Sequence, residues 1–325
     1  MSTTWSRAAR LACRSGVIRR WVRRAKGRDV AIVMYHGIVP SPLPVCNWCH
    51  MAVAEFSRQM DFLAGAYRPL PLSEAVERWS TNRSLPDHTV CVTFDDGFRN
   101  VLTAAWPVLR LHQVPFTVFI STSLPDTAQP PWPEEVFWAV LSSDRPSLDF
   151  RGESLSLQTA DCRARAYHAV MQVLKELAPA ERRRVQEAVV GSLIPGPARV
   201  PSDSPLATLR WDEIRKLSET GLAQFGSHTH THEILTNCTP ERQREELRVS
   251  RSILMDRLGY CDLLAYPNGN HSDGIRQAAK EAGYRGAVTA EHQLNPPSAD
   301  AFALARIGAG AGWSPARFET KMLGY

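Results

Sequence analysis

The sequence predicts an α/β fold in which short parallel strands alternate with helices. The main observation is a set of seven continuous apolar runs bounded by turn residues, a pattern typical of strands buried on both faces. The runs are Val30–Tyr35, Val90–Phe94, Phe116–Ile120, Leu222–Gly226, Leu263–Tyr266, Gly286–Thr289 and Ala303–Ile307. Helical patterns lie between them, over Glu55–Leu63, Trp211–Thr220, Arg242–Leu258 and Gly274–Ala282. Successive β-then-α units are expected in either a doubly wound sheet or a barrel.

Composition supports a folded chain with a large core. The 325 residues are 44% hydrophobic and 22% charged, which argues against disorder and fibrous repeats. No run of about 18 apolar residues occurs, so no transmembrane helix is expected. Seven cysteines without dense spacing argue against a disulfide-stapled secreted domain.

The basic charge is concentrated in residues 1–28. This segment holds nine of the 38 basic residues and no acid, so the remaining 29 are outnumbered by 33 acids. The acidic balance of the main body argues against a nucleic-acid partner. The segment could form an amphipathic helix on an anionic membrane surface, remain a solvated basic terminus, or act as a transit peptide. Because no export signal is evident, we expect a cytoplasmic protein with peripheral contact to the inner membrane surface through this segment.

The third and fourth apolar runs are separated by about 100 residues, which is too many for a simple loop. This stretch must therefore carry its own structure. A helix is predicted after Pro133, a hairpin in LDFRGESLSLQ, and one or two helices over Asp161–Leu193, broken near Pro179. Residues 195–205 are rich in proline and are predicted to form a loop.

Two aspartates follow the second run directly, in Thr93-Phe94-Asp95-Asp96-Gly97. At a strand end, with Gly97 allowing a turn, both carboxylates can converge on one site. Adjacent ionised carboxylates repel one another and are stabilised by a cation or a shared proton. The alternative is a polar turn that caps the following helix.

Three histidines follow the fourth run, in Gly226-Ser227-His228-Thr229-His230-Thr231-His232. Histidines four residues apart can present two imidazoles to one ion, whereas His230 is expected to face away as a surface histidine. One aspartate and two histidines would make three protein ligands with an open position for water. That arrangement is typical of catalytic rather than structural metal sites.

These motifs resemble the polysaccharide deacetylase superfamily, the NodB-homology domain of carbohydrate esterase family four. The resemblance rests on TFDDG and GSHTHTH, and extends to LRWDEIRKL, AYPNG and GYRGAVT. It implies a distorted (β/α)₇ barrel over residues 29–325, with residues 123–206 as an insertion; the seven apolar runs agree with this. Members of the family catalyse a metal-dependent reaction that removes acetyl groups from N-acetylated sugars, or O-acetyl groups from xylan-like chains.

The resemblance also implies roles for individual residues. Asp95 would be the general base. The metal ligands would be Asp96, His228 and His232. The family stabilises the oxyanion with a backbone N–H in its third motif, and the matching segment here is Tyr266-Pro267-Asn268, with Asn268 at the matching position.

Two positions depart from the family pattern. Ala265 stands where the third motif commonly has an arginine that holds the catalytic aspartate, and the last strand lacks the usual Leu-x-His. The first strand ends in Met-x-His at His36, as in circularly permuted exopolysaccharide deacetylases, so His36 is assigned as general acid, with a structural histidine as the alternative. Arg306 could replace the missing arginine beside Asp95, although a surface or otherwise ion-paired arginine is the simpler expectation.

Aromatic residues give weaker indications of a sugar site. Cys46-Asn47-Trp48-Cys49-His50 formally matches a haem attachment motif, but we interpret it as a rim loop with Trp48 near the entrance. Trp132, Phe137 and Trp138 could stack on sugars, although packing within the insertion is favoured.

The sequence as a whole predicts a metal-dependent carbohydrate deacetylase, a hydrolase acting on C–N bonds other than peptide bonds. Zinc is the expected metal, and nickel, cobalt or iron would tolerate the same ligands. The expected substrate is an N-acetylated sugar in a glycan or in a lipid-linked or nucleotide-linked precursor. The alternatives are an amide hydrolase of the same superfamily acting on a non-sugar compound, and a non-catalytic glycan-binding module that keeps the metal ligands.

Overall fold

The computed structural model describes residues 27–81, 83–196 and 198–324. The predicted amphipathic helix in residues 1–28 lies outside the described residues, apart from Gly27 and Arg28. Among the helices of the described part, none combines the length and apolar character needed to cross a membrane.

The strands and helices alternate along most of the chain. The strands are β1 (Ala31–Tyr35), β2 (Gly37–Val39), β3 (His50–Ala52), β4 (Arg68–Pro69), β5 (Thr89–Phe94), β6 (Phe116–Ile120), β7 (Ser147–Phe150), β8 (Glu153–Ser156), β9 (Ala223–Ser227), β10 (Leu263–Ala265), β11 (Gly286–Val288) and β12 (Ile307–Gly308). The α-helices are α1 (Val53–Ala66), α2 (Leu72–Ser80), α3 (Trp106–Leu111), α4 (Trp132–Ser142), α5 (Ala160–Leu174), α6 (Pro179–Leu193), α7 (Trp211–Ser218), α8 (Pro240–Leu258), α9 (Asp273–Ala282) and α10 (Pro315–Lys321).

A parallel sheet in the order β11-β10-β9-β6-β5-β1-β12 forms the centre, with β4 added beside β5. Its two ends meet through the segment before β12: Leu304 forms a parallel bridge with Val288, and the Thr289 N–H donates to the Leu304 carbonyl at 2.8 Å. Ile307 of β12 then pairs with Val33 of β1. The ring closes there, which confirms the predicted distorted barrel.

The apolar runs became strands because their side chains are buried on both faces. Every residue of β1, β5 and β6 is buried, as expected for a parallel sheet covered by helices. Since all strands of the ring run in one direction, the residues that follow them meet at one rim. His36, Asp95 and His228 each come directly after such a strand.

The four helices predicted between strands are confirmed as α1, α7, α8 and α9. The sequence analysis missed α2, although its buried residues Leu72, Ala75, Val76 and Trp79 have helical spacing. It also missed the short β2–β3 pair, whose Gly37 lies against the ring of His50. The loop between β2 and β3 carries Trp48 and Cys49 towards the barrel rim.

The long connection between β6 and β9 folds as predicted, with helix α4, the β7–β8 hairpin and helices α5 and α6. These elements enclose a separate apolar cluster that includes Phe137, Val170 and Leu174. Trp138 packs partly buried against the same cluster. The insertion therefore has a core of its own beside the barrel; its predicted boundaries, about 123 and 206, stay a prediction.

Candidate active site

The two aspartates after β5 are separated by an abrupt turn. The Asp95 N–H still donates to the Tyr35 carbonyl at 2.9 Å, which continues the strand ladder. Asp96 and Gly97 then adopt the left-handed region, with φ of 68° and 65°. This conformation strains a residue other than glycine by about 1 kcal/mol or more, and strain of this kind concentrates at functional sites. The turn lets both buried carboxylates face the same rim.

The histidine segment, residues 228–232, is a wound loop rather than a helix. Thr229 and His232 both have left-handed backbones, with φ of 64° and 59°. Glu246 of α8, itself buried, holds this loop: one carboxylate oxygen accepts the N–H groups of His230 and Thr231 at 2.8 Å each. Charged acceptors make stronger hydrogen bonds than neutral ones, so Glu246 offsets part of the backbone strain.

Asp96, His228 and His232 are brought together as one buried triad. One ligand atom from each lies within 4.8 Å of the others. Asp96 Oδ1 is 3.0 Å from His232 Nε2 and 3.6 Å from His228 Nε2. His228 Nδ1 lies 2.8 Å from the Ala265 carbonyl, which can only accept, so Nδ1 carries the proton and Nε2 has a free lone pair.

The protonation states of His228 and Asp96 suit a divalent cation. Burial lowers the pKa of His228 to about 4, so its imidazole is neutral at pH 7. Burial raises the pKa of Asp96, but the imidazoles of His232, His36 and His228 outweigh it and hold that pKa below its usual range. Asp96 Oδ1 is buried and receives no hydrogen bond in the described part. A carboxylate oxygen and imidazole nitrogens that converge without donors between them fit a divalent ion.

Arg306 contacts Asp95, the first of the two aspartates. Its guanidinium forms a bidentate pair with Asp95, with Nη1–Oδ1 and Nη2–Oδ2 both at 2.7 Å. Two further bonds fix the guanidinium, from Nε to the Thr289 carbonyl at 2.7 Å and from Nη1 to Thr93 Oγ1 at 3.2 Å. Burial raises the pKa of Asp95, but the charge and hydrogen bonds of Arg306 lower it below its usual value. Arg306 is 1% exposed, so it is not a surface arginine.

His36 lies in the same cleft as the aspartates. Its ring meets the edge of Trp48 with centroids 4.9 Å apart, and its Nδ1 is buried without a hydrogen-bond partner in the described part. Burial lowers the pKa of His36, and the charges of Asp96 and Asp95 oppose that change. No hydrogen bond ties the His36 ring to a turn there, and its role as general acid stays a prediction.

The three residues assigned to the oxyanion site are placed differently. Asn268 lines the cleft with a left-handed φ of 59°. Tyr266 is buried behind the rim, where its hydroxyl donates to the Phe302 carbonyl at 3.0 Å. Pro267 is also buried, and neither Tyr266 nor Pro267 lines the cleft. His230 likewise lies outside the cleft, with Nδ1 3.0 Å from Thr122 Oγ1.

The cleft has a cavity volume of about 190 Å³. The barrel rim forms its floor, and the insertion forms one wall, which holds residues that the sequence analysis did not single out. These are Pro133, Glu134, Tyr167, His168, Met171 and Lys175. These residues belong to no recognisable sequence motif. Of the cleft residues in the insertion, only the neighbouring Trp132 was indicated by the sequence, as part of an aromatic cluster. Glu134 is buried beneath Asn47 and His50, 3.3 Å and 3.7 Å from their nitrogens.

This architecture is that of a barrel hydrolase whose reaction centre lies at the carboxyl ends of the strands. The chain belongs to the polysaccharide deacetylase family, whose model matches residues 82–287. Membership supports a deacetylase that acts on a polysaccharide, and the buried triad could hold the divalent metal that the family generally uses.

Relatives and solved structures agree with this assignment. YxkH of Bacillus subtilis (strain 168), whose name assigns it to the polysaccharide deacetylases, is 21% identical over 301 residues, which is 92% of this chain and 77% of YxkH. The structure of the Streptococcus pyogenes deacetylase PplD in complex with acetate superposes with a TM-score of 0.61 at 19% identity, covering 90% of this chain and 98% of PplD. IcaB from Ammonifex degensii gives a TM-score of 0.58 at 18% identity, covering 92% of this chain and 98% of IcaB. At these identities the superpositions show the fold alone.

Proposed function

We propose that this protein is a metal-dependent hydrolase that removes the acetyl group from an N-acetylated sugar. The proposal rests on one observation: two sets of residues lie side by side at the same rim of the barrel. They are the buried Asp96–His228–His232 triad and the Asp95 carboxylate paired with Arg306. Three protein ligands leave room for water and substrate, as in catalytic zinc sites. Zinc is the metal we propose, because two imidazoles and one carboxylate suit it.

Asp96, His228 and His232 would hold the ion, which supplies a Lewis acid for the amide carbonyl and lowers the pKa of water. Asp95 accepts the proton of the attacking water as its oxygen forms a bond to the carbonyl carbon. Arg306 keeps Asp95 ionised and fixes both of its oxygens, so one lone pair stays directed at the cleft.

The C–N bond then breaks as His36 gives a proton to the leaving nitrogen, which leaves acetate and a free amine. Burial lowers the pKa of His36, while the negative charges of Asp96 and Asp95 favour the protonated form that this transfer requires. Asn268 lines the cleft and has a left-handed backbone, and we assign its backbone N–H as a donor to the carbonyl oxygen in the transition state.

The substrate we propose is a glycan, or a lipid-linked or nucleotide-linked precursor, that carries N-acetylhexosamine. Trp48 lines the cleft, is 45% exposed, and offers an apolar face of the kind that stacks on sugar rings. Residence in the cytoplasm and contact with a membrane through residues 1–28 stay predictions.

The test is acetate release, measured by mass spectrometry over a panel of N-acetylated sugars with and without a chelator. We expect release that the chelator abolishes and that zinc, or failing zinc one of nickel, cobalt and iron, restores. Asp95→Asn and His36→Ala should lower turnover by at least about 100-fold while metal content is unchanged. His230→Ala is the matched control, because His230 belongs to the same motif but lies outside the cleft. Release that survives complete metal removal would refute the proposal.

A further inference from the structure

The insertion touches the candidate metal centre directly, through the first residue of its helix α4. The indole Nε1–H of Trp132 donates to the backbone carbonyl of His232 at 2.9 Å. Both residues are buried, at 6% and 8% exposure, so this bond is shielded from water. The indole ring also meets the His232 imidazole, with centroids 6.4 Å apart.

The two histidines of the triad are oriented by different means. His228 is fixed at its ring, because Nδ1 donates to the Ala265 carbonyl. His232 Nδ1 is buried and has no hydrogen-bond partner in the described part of the chain. A ligating histidine normally needs a partner on its second nitrogen to fix the ring. The orientation of His232 therefore depends on its backbone and its packing, and Trp132 contacts both its backbone carbonyl and its ring.

Trp132 is in turn held by a buried arginine of helix α6. The Arg182 guanidinium carbon lies 4.5 Å above the centre of the indole ring. Arg182 Nη2 pairs with Glu233 Oε1 at 2.8 Å, and Nη1 donates to Gln186 Oε1 at 2.6 Å. Glu233 directly follows His232 in the chain. Arg182 thus holds the indole that bonds to His232 and also the residue beside that ligand.

We infer that Trp132 and Arg182 are positioning residues for the metal ligand His232, so that the insertion forms the outer shell of the metal site as well as a wall of the cleft. The inference rests on the metal site of the proposed function. It explains how His232 keeps a left-handed backbone, with φ of 59°, at a position where no glycine relieves the strain.

The test measures metal binding rather than turnover. Zn²⁺ is titrated against a chromophoric chelator for the wild type, Trp132→Phe and Arg182→Lys. Trp132→Phe keeps an aromatic ring but removes the donor, and we expect its zinc affinity to fall about tenfold. We expect Arg182→Lys to lower the affinity less, because lysine keeps the charge but not the planar fork.

The matched control is Trp138→Phe, the same substitution in the same helix, at a half-buried position outside the cleft. We expect it to leave zinc affinity unchanged. The visible spectrum of the Co²⁺-loaded protein reports ligand geometry, and it should change for Trp132→Phe but not for Trp138→Phe. In a His232→Ala background, Trp132→Phe should cause no further loss of Zn²⁺ affinity, because the ligand that it positions is gone.

Three outcomes would overturn the inference. The first is wild-type zinc affinity in Trp132→Phe, and the second is an equal loss in Trp138→Phe. The third is a loss of the same size in the His232→Ala background, which would mark Trp132 as a residue of general stability. A wild type that binds no zinc, nickel, cobalt or iron would instead refute the proposed function itself. The two failures are therefore distinguishable.

Discussion

The contact between Arg306 and Asp95 allows the most quantitative prediction. Arg306→Met retains most of the apolar stem and volume but removes the guanidinium, leaving Asp95 as a buried carboxylate. Breaking a buried ion pair by removing one partner costs about 3–5 kcal/mol, because the remaining charge is left unpaired. Both 2.7 Å bonds to Asp95 are lost, together with those to Thr289 and Thr93. We therefore expect a loss of unfolding free energy at the upper end of that range.

The loss should depend on pH in a definite direction. In the wild type, the pKa of Asp95 is lower in the folded protein than in the unfolded chain, where it is about 3.9. The ionised carboxylate therefore stabilises the fold at pH values above about 3.9, and this stabilisation is lost as the pH falls through the pKa of the folded state. Without Arg306, burial is the largest remaining cause and should raise that pKa above the unfolded value, opposed by the charges of His228 and His36. The ionised carboxylate then destabilises the fold at neutral pH, and protonation relieves the penalty. The difference between variant and wild type should therefore be largest at pH 7 and shrink towards pH 4.

Urea unfolding at several pH values measures this difference. Asp95→Asn combined with Arg306→Met removes both charges and should recover at least about 2 kcal/mol relative to Arg306→Met alone. Arg248→Met is the control: it is the same substitution at an exposed position of helix α8, where a change within about 0.5 kcal/mol is expected. A loss below about 1 kcal/mol for Arg306→Met, or a loss that does not vary with pH, would refute the reasoning.

Three further variants test separate contacts. Glu246→Ala removes the acceptor that holds residues 228–232 and should lower zinc affinity about tenfold in a chelator competition, whereas unchanged affinity would contradict its role. Gly37→Ala would place a Cβ against the ring of His50 and should lower the free energy of unfolding, measured in urea, by about 1–3 kcal/mol. An unchanged free energy of unfolding would mean that the His50 ring moves aside without loss of stability. Trp48→Ala removes a side chain that lines the cleft and is 45% exposed. We expect the free energy of unfolding to stay within about 1 kcal/mol of wild type and the KM for the sugar to rise. An unchanged KM would exclude Trp48 from substrate binding.

The sequence predicts the barrel and the insertion well because both depend on local patterns. Continuous apolar runs such as Phe116–Ile120 mark strands buried on both faces, and a proline such as Pro179 marks the start of a helix. Helix α2 is missed because its apolar positions lie among charged residues and its start at Leu72 has no side-chain cap. Its helical spacing nonetheless held enough information to find it.

The contacts of the site could be predicted only where a motif carried them. The triad members lie in two short motifs, whereas Arg306 and Asp95 are 211 residues apart and meet only because the ring closes. No sequence motif marks Glu134 and Lys175, which line the wall of the cleft. Their positions in the cleft follow from how the helices of the insertion pack. Likewise, the backbone carbonyl of His232 accepts a hydrogen bond from the indole of Trp132, which is 100 residues away.

The two residues that we propose to compensate for the departures from the family pattern, Arg306 and His36, lie close to the point where the barrel ring closes. Strand β12 pairs with β1, and Met34 stands opposite Gly308, so Arg306 and His36 come from neighbouring strands. Ala265 still has a function at the place where an arginine is missing, because its backbone carbonyl binds His228 and any residue could provide that carbonyl. The guanidinium that Asp95 needs arrives instead from position 306. A site of this kind constrains where a chemical group lies in space, and a closed barrel lets different strands supply that group at the same rim.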